Sequence, residues 1–96
     1  MHLTFRVPLT VAAAVCLAAC ATTTPVPGAD KVRIADNPSD VRNCTAVGNI
    51  KLPTDTLRVD IQTEFRNQII GLGGNTALLT KGSPLYPAEG VAYRCP

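Results

Sequence analysis

Polar and apolar residues alternate in two early stretches of this chain, at 31–36 and at 44–52. Alternation with a period of two is typical of half-buried β-strands, so each stretch predicts a strand. One set in the second stretch shares a side of the strand, namely Cys44, Ala46, Gly48, Ile50 and Leu52. Gly48 is also a candidate β-bulge, which would reset that parity.

A helical pattern follows and begins at Pro53, Thr54 and Asp55, with Thr54 as the expected N-cap. Apolar residues then recur every three or four positions, at Leu57, Ile61, Phe65, Ile69 and Leu72. We expect this face to pack on the core, and a partner-binding helix is the alternative. The polar residues around it are expected in solvent, including the carboxylates of Asp55, Asp60 and Glu64.

The run Gly71-Leu72-Gly73-Gly74 predicts the end of the helix, because glycine tolerates the left-handed C-cap conformation. A phosphate-binding loop is the alternative, but the run follows a helix instead of a strand and has no lysine. Two more strands are predicted, at 75–81 and 91–95, joined by a loop.

On the last strand, Val91, Tyr93 and Cys95 are expected on the inner face. The order strand–strand–helix–strand–strand predicts an α+β fold. We expect one small domain over 30–96, with a mostly antiparallel sheet and the helix packed on one face.

The first 19 residues have the parts of a secretory signal: a weakly basic start, an apolar run over 7–15 and small residues at 18–19. Counted to the end of the segment, over 7–19, this gives about 13 mostly apolar residues. A bilayer-spanning helix needs roughly 20, so the segment is too short to be one. The stretch Leu17-Ala18-Ala19-Cys20 resembles the lipobox of bacterial lipoproteins. The resemblance implies that the signal is cut before Cys20 and that this cysteine is acylated. A plain signal peptide with an incidental cysteine, or a short membrane anchor, is the alternative.

Two or more acyl chains give stable membrane anchoring, so the mature protein is expected to be membrane-bound. Ala21 stands where inner-membrane lipoproteins of enterobacteria usually carry aspartate, which favours the periplasmic leaflet of the outer membrane. Residues 21–29 (ATTTPVPGA) favour an extended, solvated tether. A tether of that length reaches at most about 28 Å, so the domain is expected close to the lipid surface.

Removal of residues 1–19 leaves 77 of the 96 residues, with eight of the nine Lys/Arg and all seven Asp/Glu. This near balance disfavours nucleic acid as a partner. Cys16 leaves with the signal and Cys20 is expected to carry lipid, so Cys44 and Cys95 remain as a disulfide pair in an oxidising compartment. Closing a loop of about 50 residues should stabilise the domain by roughly 4 kcal/mol.

Three short motifs punctuate the mature chain: a Cys-x-x-x-Gly step at 44–48, Gly-Gly-Asn-Thr at 73–76 and Tyr-Arg-Cys at 93–95. Over 32–95 the arrangement resembles a family of small uncharacterised bacterial lipoproteins. It is similar, more distantly, to the Rcs envelope-stress sensor lipoproteins, which carry two disulfides where this chain can form one. The resemblance implies an α/β domain closed by a Cys44–Cys95 bond.

The expected function is therefore a non-enzymatic interaction or stress-sensing module of the envelope, with another envelope protein as partner and no cofactor. The only histidine, His2, lies in the signal, so neither a histidine base nor a histidine metal site is expected in the mature protein. An exposed apolar patch near Leu85-Tyr86-Pro87 would mark the binding surface. One alternative is a small-ligand or metal-ion binder using Asp36, Asp40 and Glu89, and another is a purely structural envelope role.

Overall fold

Residues 23–96 are described by a computed structural model, in which four strands form one mixed sheet. The elements are β1 (Arg33–Ala35), β2 (Thr45–Lys51), α1 (Ile61–Gly71), β3 (Thr76–Gly82) and β4 (Pro87–Arg94). The predicted α+β fold and its element order are confirmed. The signal over 1–19 and the lipidation site at Cys20 lie outside the described residues.

The strand order in the sheet is β1-β3-β4-β2. β4 pairs antiparallel with both β3 and β2, whereas β1 runs parallel to β3, so two of the three pairings are antiparallel. Short 3₁₀ turns flank β1, at Ala29–Lys31 and Pro38–Val41. The helix connects the edge strand β2 to the inner strand β3 and crosses one face of the sheet on the way.

The core lies between α1 and that face of the sheet. Phe65 and Ile69 of α1 are fully buried, and they pack with Ile50 of β2, Ala77 of β3 and Ala92 of β4. Ala77 and Ala92 stand opposite each other in the central pairing, and their small side chains let the helix come close to the strands. Ile61 also packs against this cluster, so the middle of the predicted apolar face is confirmed.

The helix begins at Ile61, so the predicted start at Thr54 is wrong. Thr56 closes a separate turn, because both its backbone N–H and its hydroxyl donate to the carbonyl of Pro53, at 3.1 and 2.7 Å. The backbone is then extended at Leu57 before a 3₁₀ turn over Arg58–Asp60. Leu57 is 65% exposed as a result, and its predicted place in the core is wrong.

β4 is longer than predicted, because it begins at Pro87 and runs through Gly90. A Cβ atom at Gly90 would lie 2.7 Å from the carbonyl oxygen of Leu78 and 3.2 Å from Cζ of Phe65. The glycine therefore serves a close approach of backbone and ring inside the strand, where its composition suggested a loop. Gly90 and Ala92 are the residues under the helix, so the predicted inward parity of Val91, Tyr93 and Cys95 is wrong.

The bulge predicted at Gly48 is confirmed, since the register of β2 against β4 shifts between Ala46 and Gly48. Leu72 lies over this point: a Cβ at Gly48 would be 2.9 Å from its Cδ2 atom. Leu72 is 39% exposed, so it covers the bulge from outside the core instead of filling the core as predicted.

The Cys44–Cys95 disulfide is confirmed. It lies beside the Thr45–Arg94 pair and so closes the end of the β2–β4 ladder. The side chain of Asn75 holds the same end, accepting from the backbone N–H of Cys95 and donating to its carbonyl, both at 2.9 Å. This end of the sheet is thus held by the disulfide and by the two hydrogen bonds of the Asn75 side chain.

Candidate interaction surface

Two loops meet at the opposite end of the sheet from the disulfide: residues 52–60 after β2 and residues 83–86 between β3 and β4. Gln62 joins them to α1, because its side-chain amide donates to the carbonyls of Pro84 and, at 2.9 Å, of Leu85. The guanidinium of Arg58 lies over the ring of Tyr86, 4.5 Å from its centroid. These contacts make the two loops one continuous surface.

Four large apolar side chains of these loops are exposed. Leu57, Val59 and Leu85 are 65%, 70% and 63% exposed, and Tyr86 is 39% exposed. We call these four residues the loop-tip surface. A cluster of exposed large apolar groups typically marks a binding surface, whereas single exposed residues do not. The expected patch is therefore found at Leu85 and Tyr86, while Pro87 is buried and belongs to the core side.

Leu57 and Val59 had been missed because the apolar periodicity of the sequence assigned this segment to the helix. The turn over Arg58–Asp60 changes their direction. The signal that could have located the break is the run Pro53-Thr54-Asp55-Thr56, a composition that favours turns over a helix interior.

The turn that presents Leu85 is closely built. The N–H of Ser83 donates to the carbonyl of Tyr86 at 3.2 Å, and the N–H of Tyr86 donates to the Ser83 hydroxyl at 3.1 Å. Gly82 has φ 96°, and a Cβ atom there would lie 2.6 Å from the Tyr86 carbonyl. Glycine is required at that position, and Leu85 is held at the tip of the turn.

A cleft of about 300 Å³ adjoins the loop-tip surface. Its walls are residues 51–54, Thr56, Ile61 and residues 86–89, with Lys81 at one side. The ammonium of Lys81 lies 3.7 Å from the Glu89 carboxylate. The lining mixes apolar groups, hydroxyls and one ion pair, which suits binding of a small amphipathic group.

Residues 23–28 follow the outer side of α1, and we call them the strap. The backbone N–H of Thr23 donates to Oδ1 of Asp60 at 3.0 Å, and its hydroxyl donates to Oε1 of Glu64 at 2.8 Å. Asp60 is only 8% exposed. The prediction that Asp60 and Glu64 are merely solvated charges is therefore wrong, since both hold the strap.

Asn67 binds the strap one helical turn further along. Its side-chain oxygen accepts from the N–H of Val26 at 2.9 Å, and its amide nitrogen donates to the carbonyl of Thr24 at 3.0 Å. Arg66 then donates to the carbonyls of Ala29 and Val32, where the strap enters the domain. The segment expected as a free tether is thus exposed but hydrogen-bonded along the helix, and Ala29 is buried.

The carboxylates considered as metal ligands are not brought together. Asp36 follows β1, Asp40 lies in the turn Pro38–Val41, and Glu89 pairs with Lys81. Within the described part of the chain, no group of three or more His, Cys, Asp or Glu side chains could hold a metal ion.

The glycines after α1 close the helix, as predicted. Gly73 has φ 82°, and its N–H donates to the carbonyl of Ile70 at 2.9 Å. The N–H of Gly74 likewise donates to the carbonyl of Ile69 at 2.9 Å. Both donors are used by the helix end, as expected for a C-cap and not for a phosphate loop.

Comparison with known proteins finds no matching family model, no matching curated protein and no matching solved structure. Among residues 23–96, no helix is long and apolar enough to cross a membrane.

Proposed function

We propose that this chain is an envelope lipoprotein, held by acyl chains on Cys20 in the periplasmic leaflet of the outer membrane. In this proposal the folded domain acts without catalysis, as an interaction or stress-sensing module. It contacts a second component of the envelope through the loop-tip surface. The observation that carries the proposal is the clustering of Leu57, Val59 and Leu85, each about two-thirds exposed, at one end of the sheet.

The residue content after Cys20 supports a non-catalytic role. That part of the chain has no histidine, and Cys44 and Cys95 are joined in the disulfide. Nucleophilic catalysis ordinarily needs a hydroxyl or thiol with a base beside it. The carboxylate of the cleft, Glu89, lies 3.7 Å from the ammonium of Lys81 and has no nucleophile placed beside it among the residues that line the cleft.

The anchor is tested by mass spectrometry of the mature protein and by Cys20→Ala. The mature chain should begin at Cys20 with acyl mass and fractionate with membranes, and Cys20→Ala should lose both the acyl mass and the cleavage at that site. Cys16→Ala is the matched control, since this cysteine lies within the signal, and it should be processed normally. An unacylated protein in the soluble fraction would refute the anchor.

The surface is tested with a photoreactive residue at Leu85, irradiated in intact cells. We expect adducts to an envelope component at this position. The control position is Asn43, which is exposed and lies beside the disulfide at the other end of the sheet. Equal adduct yields at Leu85 and Asn43 would show that the loop-tip surface is not a contact surface.

The cleft favours a second candidate, a lipoprotein that binds a small ligand. Its volume of about 300 Å³ lies at the lower limit for small-molecule sites. Thr56→Trp would fill the cleft from its wall and should abolish binding of any small amphipathic compound found by thermal-shift screening. Unchanged binding by that variant would exclude the cleft.

A further inference from the structure

We infer that the loop-tip surface lies against the bilayer that carries the acyl chains, so that the domain sits on the membrane in one fixed orientation. The occupant of the surface is the boundary between lipid headgroups and acyl chains. This inference rests on the proposed anchor at Cys20, and it names the envelope component that the surface contacts.

The position of the anchor is the first observation. Thr23 is bonded to Asp60 at 3.0 Å, and Asp60 directly follows Val59 of the loop-tip surface. Cys20 precedes Thr23 by three residues, and three Cα–Cα steps span at most about 11 Å. Acyl chains on Cys20 therefore enter the bilayer beside Val59, and the exposed apolar residues are brought to the lipid by the attachment itself.

The strap fixes this geometry. It runs parallel to α1, with Thr23 at Asp60 near the start of the helix and Val26 at Asn67 further along it. A free tether would let the domain turn any face towards the membrane. Because the strap is bonded at both places, the end of the domain nearest the lipid is the end with the loop-tip surface.

The chemistry of the surface matches a membrane interface. Leu57, Val59 and Leu85 are aliphatic groups that the acyl region accepts, and Tyr86 has an apolar ring with a polar tip, as is common at the headgroup level. Arg58 lies between Leu57 and Val59 and stacks on Tyr86, where its guanidinium can meet lipid phosphate. Apolar side chains with a cationic group beside them can contact the acyl and headgroup regions of a membrane at the same time.

Tryptophan fluorescence tests the inference, because the chain contains no tryptophan. Val59→Trp places the probe at a side chain that is 70% exposed, so the core is not disturbed. The acylated protein is purified in detergent and reconstituted into phosphatidylcholine–phosphatidylglycerol vesicles, with and without bromine on the upper acyl chain. We expect blue-shifted emission and strong quenching by the brominated lipid.

Asn43→Trp is the control, since this position precedes β2, and the seven residues of that strand, which span about 20 Å, separate it from the loop after β2. Its emission should remain typical of a water-exposed tryptophan and should not be quenched by the brominated lipid. Equal, water-like emission from both probes in vesicles would overturn the inference. Shielding of the Val59→Trp probe in native membranes but not in pure lipid would also overturn it, because the occupant would then be a protein.

The strap gives a further readout. Asn67→Ala in the Val59→Trp protein should reduce lipid quenching, because the domain gains freedom to turn. Gln68→Ala, one residue along the same helix, should leave quenching unchanged. Equal quenching in both variants would show that the strap does not orient the domain. Mass spectrometry of each preparation separates the two proposals: a chain without acyl mass refutes the anchor, whereas an acylated chain with a water-exposed probe refutes only the orientation.

Discussion

Gly90→Ala adds only one methyl group, yet we expect it to destabilise the domain strongly. The added Cβ would lie 2.7 Å from the Leu78 carbonyl oxygen, a backbone atom of the neighbouring strand, and 3.2 Å from Cζ of the fully buried Phe65. Neither neighbour can move freely, because one belongs to the β3–β4 ladder and the other fills the core. Overpacking of this kind costs about 1–3 kcal/mol, and contact with backbone on one side favours the upper half of that range.

The matched control is Gly71→Ala, at the last residue of α1. A Cβ there meets nothing within 4 Å, so the only effect is on the backbone entropy of a helical residue. That effect should stabilise the domain by about 0.5–1 kcal/mol. The two variants carry the same chemical change, but Gly90→Ala should lower the free energy of unfolding whereas Gly71→Ala should raise it.

Urea denaturation of the oxidised protein, followed by circular dichroism, measures both. With a slope near 1 kcal/mol per molar for a domain of this size, Gly90→Ala should lower the midpoint by about 2 M. A loss of 2 kcal/mol should also lower Tm by at least about 8 °C. A Gly90→Ala midpoint equal to wild type would refute the close packing of α1 on β4.

Three smaller predictions use the same assay or its local counterpart. Cys44→Ser should destabilise the domain by about 2–5 kcal/mol, and equal midpoints for oxidised and reduced wild-type protein would contradict this. Asn67→Ala should speed hydrogen exchange at the Val26 amide while Gln68→Ala does not, and a common rate would show that the strap bond is not formed in solution. Lys81→Ala should change stability by about 0.5 kcal/mol or less, because its ion pair is largely exposed; a loss above about 1 kcal/mol would contradict that reading.

The sheet and the disulfide could be predicted because their signals are local and mutually consistent. Alternation marks the first two strands, the run from Gly71 to Gly74 marks the helix end, and two cysteines allow one pairing. The parallel pairing of β1 with β3 leaves no such mark, because which strands become neighbours is decided by how the whole chain packs.

The errors have specific physical causes. The apolar period of the helix extends back to Leu57, but Pro53 and the turn that Thr56 closes separate that residue from α1. Gly90 has the composition of a loop, yet it is needed inside a strand because Phe65 occupies the space of its side chain. Only the assembled core reveals such a requirement.

The strap was the least predictable feature. Thr23 and Val26 lie in a segment rich in proline and threonine, which by composition has no reason to order. Its partners, Asp60 and Asn67, are polar residues of an ordinary amphipathic helix. Each bond joins residues about 40 positions apart, and neither partner carries a sign of the other in the sequence.

The two outer strands of the sheet affect how readily separate copies of the protein can associate through their sheet edges. β1 is three residues long, and the ladder of β2 is interrupted by its bulge, so neither outer strand offers a long regular row of free backbone groups. Such rows are what drive sheets of separate molecules to fuse. If the chain is anchored as proposed, its copies meet far more often than they would in bulk solution, and the short or interrupted outer strands should limit edge-to-edge pairing between them.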